Sequence, residues 1–175
     1  MVIWSFGFLR MGTVGIVSQA YGRGDYREIV RTLLRNFVIA ITLALVIIIL
    51  KPLINVSIQH FFNTSEQVQK LINIYLNVRV FSVPAELVIY ILVGFYLGIQ
   101  KTKISSFMIV TLSILNIVFS SVLVLSYNLD VFGVALGTLF ASFTTVIIFS
   151  LYTYRFIIKK FKLIPRFEKL VIKSK

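Results

Sequence analysis

The length of its apolar runs constrains this chain more than any other feature. A helix needs about 20 consecutive, mostly apolar residues to cross the hydrocarbon core of a bilayer. Five stretches reach that length, near residues 2–21, 33–55, 66–100, 103–127 and 131–157. Backbone amides have no water to bond at that depth, so a lone spanning segment must be a helix. The fold class is therefore an all-α membrane protein with five transmembrane helices over residues 1–157, followed by a basic cytoplasmic linker over 158–175. Composition agrees: 58% of residues are hydrophobic and 14% charged, where soluble domains run near half and a quarter. With 16 Phe and 8 Tyr, the chain is also the opposite of one too polar to bury a core. The first stretch has no positive n-region and carries Arg10, Gly7, Gly12 and Gly15, so it is unlike a signal peptide. It reads as a helix whose beginning lies before Met1.

The formal charge is +12, a value that suits nucleic acid. The basic residues are nevertheless separated by runs too apolar for a soluble fold, so the expected partner is the lipid bilayer and no nucleic acid. The charges fall on one side. All of the 18 basic residues except Lys51, Lys70, Arg10 and Arg79 lie in the Arg23–Arg35 region, at Lys101 and Lys103, or from Arg155 to the end. The positive-inside rule then makes those connections cytoplasmic and the first span outward-to-inward. Asp25 followed by Glu28 is an acidic variant of a capping box. It opens a helix whose first turns carry Arg27, Arg31 and Arg35 in a row that reaches for anionic headgroups. Lys51-Pro52 marks an outer helix end, Thr64-Ser65 with Gln67 a helix start, Asn128-Leu129-Asp130 a tight outer turn, and Pro165 the stop of any extension of the last helix.

Ionisable groups at membrane depth are costly and are functional candidates by default. Arg10, Arg79 and Glu86 qualify. Tyr75, Arg79, Ser82, Glu86 and Tyr90 share one helical face, which must look at a wet cavity or at other helices. An ideal helix holds Arg79 and Glu86 about 10 Å apart, too far for direct pairing unless it bends, and Pro84 between them supplies a cause. Two readings stay open: a protonatable Glu86, or a polar pair that locks neighbouring helices. Ser106, Ser113, Asn116, Ser120 and Tyr127 form a softer stripe, able to bind a cation or simply to bond between helices. Gly133, Gly137 and Ala141 make a small-xxx-small row of the kind that packs helices closely, with Thr138, Ser142 and Thr145 on an adjacent face.

Catalysis finds no footing, so no enzyme is expected. There is no cysteine and a single histidine, His60, which removes thiol chemistry and multi-histidine metal sites. No nucleophile set, carboxylate pair or phosphate-cradling loop is present. No metal and no cofactor is expected.

Phe6-Gly7-Phe8-Leu9-Arg10-Met11-Gly12-Thr13 with Gln19-Ala20-Tyr21-Gly22-Arg23-Gly24-Asp25 resembles the end of the second helix in the DinF-like branch of the MATE (multidrug and toxic compound extrusion) transporters. Tyr75 to Arg79 with Pro84-Ala85, Gly94 to Lys103, Leu115-Asn116-Ile117 and Gly133 to Thr138 continue the likeness in order. The resemblance implies twelve helices in two six-helix lobes, a cavity between the lobes, and export of organic cations or similar amphipathic compounds in exchange for H+ or Na+. On that map the chain runs from helix 2 to helix 6 of the first lobe; helix 1 and the second lobe would be its partners. The family's cation site uses an aspartate on helix 1, an Asn and an Asp one turn apart on helix 5, and a Thr on helix 6. Asn116 and Thr138 match, while Ser120 stands where the second aspartate belongs. That departure weakens a Na+ site and leaves a proton route through the helix 1 carboxylate, with Glu86 as a contributor suggested by the polar stripe. The candidates for ion coupling or the substrate cavity are therefore Asn116, Ser120, Thr138, Glu86, Arg79 and Tyr90, and the structural candidates are Pro84, Gly133, Gly137 and Asp25. The expected location is a bacterial inner membrane. Alternatives are a lipid or polysaccharide flippase of the same superfamily, for which Arg10 and Arg79 speak, and a truncated membrane protein that does not transport.

Overall fold

The structure is a computed structural model that describes residues 7–53 and 65–161. Residues 2–6 of the first predicted span, the end of the second at 54–55, His60, Thr64, Pro165 and all of the linker after Phe161 lie outside the described residues. Among those described, every regular element is helical: α1 (Gly7–Gly22), α2 (Tyr26–Ile49), α3 (Glu66–Arg79), a 3-10 turn (Val80–Ser82), α4 (Val83–Gly98), α5 (Thr102–Leu125) and α6 (Asp130–Phe161). Four helical stretches are long and apolar enough to cross a membrane: α2, the run Glu66–Gly98, α5 and α6. Helix α1 contributes 16 described residues of the predicted 2–21 span. The protein is thus an all-α multi-pass membrane protein, as the apolar runs predict.

Local chemistry explains the boundaries. Helix α1 ends in a Schellman motif, with Gly24 at φ +71° and the Asp25 and Gly24 amides donating to the Ala20 and Tyr21 carbonyls at 2.9 and 3.0 Å. The Asp25 side chain then accepts from the Glu28 amide at 3.0 Å and caps α2. That cap starts α2 at Tyr26, as the Asp25–Glu28 spacing predicts, so the arginine row forms the first turns of a helix whose apolar stretch begins near 33. Arg31 and Arg35 stand 3.9 and 3.6 Å from Glu28 at the surface, where ion pairs contribute little. The expected linker start at 158 also moves, since α6 continues to Phe161. The Phe161 ring stacks on Tyr26, with centroids 4.6 Å apart, burying apolar surface that a free linker would expose.

The predicted 66–100 helix is not continuous. Pro84 has no N–H for the carbonyl of Val80, four residues back. The amide of Val83 takes that carbonyl instead, in a 3-10 bond, and the chain enters α4 one turn later. Apart from Glu86, helix α4 is apolar on nearly all sides, the pattern of a helix surrounded by others. Its Leu87, Ile91, Leu92, Phe95 and Tyr96 are fully buried, and α1, α2, α5 and α6 all touch it. Gly94 and Gly98 seat α1: a Cβ at 94 would lie 2.8 Å from the Arg10 carbonyl oxygen, and one at 98 would lie 2.7 Å from Val17. Helix α5 lies at the rim, with only Ser105 and Met108 buried, and pairs mainly with α6.

Candidate functional site

The break before α4 positions the charged groups. Pro84 displaces the turn that carries Ser82, and the Arg79 guanidinium runs along the helix face to meet Glu86. Arg79 Nη1 donates to Glu86 Oε1 and to Ser82 Oγ. Ser82 Oγ in turn lies 2.7 Å from the Arg79 carbonyl oxygen and 3.0 Å from Glu86 Oε1. Arg79 and Glu86 therefore pair directly across the 3-10 turn, and three residues of the predicted polar face form one cluster. The side chains of Arg79 and Glu86 are 21% and 12% exposed, so the pair is open to its surroundings rather than sealed.

That opening is a cavity of about 570 Å3 between α4, α5 and α6. Arg79, Glu86 and Tyr90 line one wall; Ser113, Asn116, Thr138 and Ser142 line the other, with Ile89, Leu112 and Ile117 between them. Asn116 Nδ2 donates to Thr138 Oγ1 at 2.9 Å, and Thr138 donates to the Val134 carbonyl one turn back at 3.1 Å. Ser142, only 1% exposed, has a buried hydroxyl with no hydrogen-bond partner. A buried hydroxyl without a partner costs free energy unless a ligand or water satisfies it.

Five of the six cavity candidates, Arg79, Glu86, Tyr90, Asn116 and Thr138, meet at this cavity; Ser120 does not. Its Oγ is buried without a partner beneath Gly137, whose Cα approaches so closely that an added Cβ would sit 2.6 Å from the Ser120 amide nitrogen. Gly133 makes the same kind of approach to Leu123, at 3.2 Å from its carbonyl carbon. Arg10 lies off the cavity: its carbonyl faces Gly94, and its charge acts on Tyr90. Periodicity did not single out the apolar wall, because Ile89, Leu112 and Ile117 have the same residue type as lipid-facing positions. Two interhelical bonds also lack a sequence signature: Asn36 Nδ2 to Thr13 Oγ1 at 2.8 Å, and Tyr96 with Thr153 at 2.8 Å. Among the described residues no group of three His, Cys, Asp or Glu side chains is placed to hold a metal.

The described helices thus form a multi-pass bundle with a polar, charge-paired cavity. A family model described as MatE matches residues 1–122. The DNA damage-inducible protein F of Escherichia coli (strain K12) is 35% identical over 142 residues, which is 81% of this chain and 31% of that protein. Two solved structures share the fold. One is the outward-facing conformation of a multidrug resistance MATE family transporter of the MOP superfamily (TM-score 0.83, 17% identity, 99% of this chain and 38% of that one). The other is an inward-facing conformation of such a transporter (TM-score 0.79, 18% identity, 86% and 34%). The chain belongs to the MATE family, and it spans about a third of the length of these relatives.

Proposed function

We propose that the chain forms part of the first lobe of a MATE-type efflux antiporter in a bacterial inner membrane, exporting amphipathic organic cations in exchange for H+ or Na+. Helix 1 and the second lobe of the complete transporter are its partners, and the arginine-bearing turn, the Lys101–Lys103 turn and the tail face the cytoplasm. One observation carries the reading: the cavity sets a carboxylate, Glu86, opposite the Asn116–Thr138 pair at membrane depth. Such a group is expensive there unless it works. The solved relatives are described as multidrug resistance transporters, and we carry that activity over to this chain. Ser120 in place of an aspartate, buried under Gly137, favours H+ over Na+.

Efflux of a cationic dye from proteoliposomes containing the complete transporter tests the reading. Export on a pH jump or on a Na+ jump is expected; no response to either would sink the antiporter. The flippase alternative loses support, because the Arg79 charge is offset by Glu86 and only Arg10 remains unabsorbed by the cavity.

A further inference from the structure

The cavity contains one acid and one base among the described residues, and each is engaged by the other. While they hold one another the lining itself has no net charge, and Arg10 adds a positive charge near Tyr90 from outside it. An entering cation would then lose its hydration without gaining an ionic partner. Either the ligand is neutral or Arg79 must yield. Four features favour yielding. The pair is partly exposed to the cavity, at 21% and 12%. Arg79 and Ser82 both engage Oε1 of Glu86, and neither of these bonds uses Oε2. Arg79 has a second partner that it would keep, since the Tyr75 hydroxyl one turn back on α3 engages it in addition to Glu86. The facing wall is neutral and polar, and it holds the idle Ser142 hydroxyl. The remaining lining is apolar and aromatic, with the Tyr90 ring available for cation–π contact. At about 570 Å3 the space suits a small organic molecule.

We propose that Glu86 is the anionic contact for a monovalent amphipathic organic cation, and that the Arg79 guanidinium is a tethered stand-in for that cation, occupying the contact until the ligand displaces it towards Tyr75. This rests on the efflux reading and deepens it by naming the residue that recognises the charge. A tethered competitor lowers apparent affinity by the fraction of time it occupies the site. The two members of the pair must then act on affinity with opposite sign, which a merely structural clamp does not require.

The test is equilibrium binding of tetraphenylphosphonium to the purified full chain in detergent, with no ion gradient. Glu86→Gln is expected to weaken binding by on the order of tenfold, through loss of the ionic contact. Arg79→Gln is expected to tighten it several-fold, with Arg79→Lys between native and Arg79→Gln. Tetraphenylborate, of the same shape and opposite charge, should bind best to Glu86→Gln. Equal weakening by Glu86→Gln and Arg79→Gln, unchanged binding in Glu86→Gln, or no saturable binding to native and Arg79→Gln protein overturns the proposal. If Arg79→Gln does not fold, Arg79→Lys decides, and weaker binding than native overturns it. Efflux separates the two readings. Binding in the expected order without efflux under either gradient rejects the antiporter alone. Coupled efflux with cation affinity indifferent to Glu86→Gln rejects the stand-in alone.

Discussion

Gly137 of α6 packs against the backbone of Ser120 of α5, where an added Cβ would lie 2.6 Å from the Ser120 amide nitrogen and 2.7 Å from its Cα. Backbone cannot swing aside as a side-chain end can, so the contact sets the spacing of the helix pair that forms one side of the cavity. Gly137→Ala must push α5 and α6 apart, with a stability loss of about 1–3 kcal/mol typical of overpacking. Gly133→Ala, whose closest neighbours stand at 3.0–3.3 Å, should cost less. Thermal unfolding of the purified protein in detergent measures both, and an equal or smaller loss for Gly137→Ala would contradict the geometry.

The α1–α4 seam makes a second prediction with an internal control. Gly94 and Gly98 meet α1 at 2.7–2.9 Å, whereas Gly12 and Gly15 of α1 have nothing within 4 Å. Gly94→Ala and Gly98→Ala should destabilise, and Gly15→Ala should be neutral or stabilising by up to about 1 kcal/mol, the helix propensity gain. Val17→Ala should relieve Gly98→Ala only slightly, because it removes Cγ1 but keeps the Val17 Cβ that also stands 2.7 Å from the added atom; Gly94→Ala, which meets the Arg10 carbonyl, should not respond to that change.

Helices α1 and α4 end in the same motif with different residues at its left-handed position. Gly24 has φ +71° and Gln100 has φ +61°; Lys101 and Gln100 donate to the Tyr96 and Leu97 carbonyls at 2.7 and 3.0 Å, the Schellman pattern. A side chain in that region costs roughly 1–2 kcal/mol, part of which a glycine returns through the entropy of the unfolded chain. Gln100→Gly should therefore stabilise the protein by about 0.5–1 kcal/mol and Gly24→Ala should destabilise it. Melting temperatures moving in opposite directions are the expected result.

Topology can be read directly, since the chain has no cysteine. Arg23→Cys and Tyr127→Cys place single thiols at opposite ends of the bundle. In intact cells a membrane-impermeant maleimide should label Tyr127→Cys and leave Arg23→Cys unlabelled until the cells are opened. The reverse pattern would invert the proposed orientation.

The sequence alone determined the fold class, and the proposed orientation of its connections rests on the sequence as well. A bilayer imposes its thickness on run length and its charge asymmetry on loops, and both act on contiguous residues. It also determined the polar face from Tyr75 to Tyr90 and the cap at Asp25, which are spacings within one helix or one turn. The resemblance to MATE transporters, rather than periodicity, singled out Asn116 and Thr138 together. Only tertiary structure decided how the faces meet. A 3-10 turn before Pro84 brought Arg79 onto Glu86, the rotation of α5 against α6 turned Asn116 into the cavity, and the same rotation put Ser120 under Gly137. These outcomes depend on the close packing of glycines and side chains from different helices, a relation between distant segments that no local pattern of hydrophobicity or charge encodes.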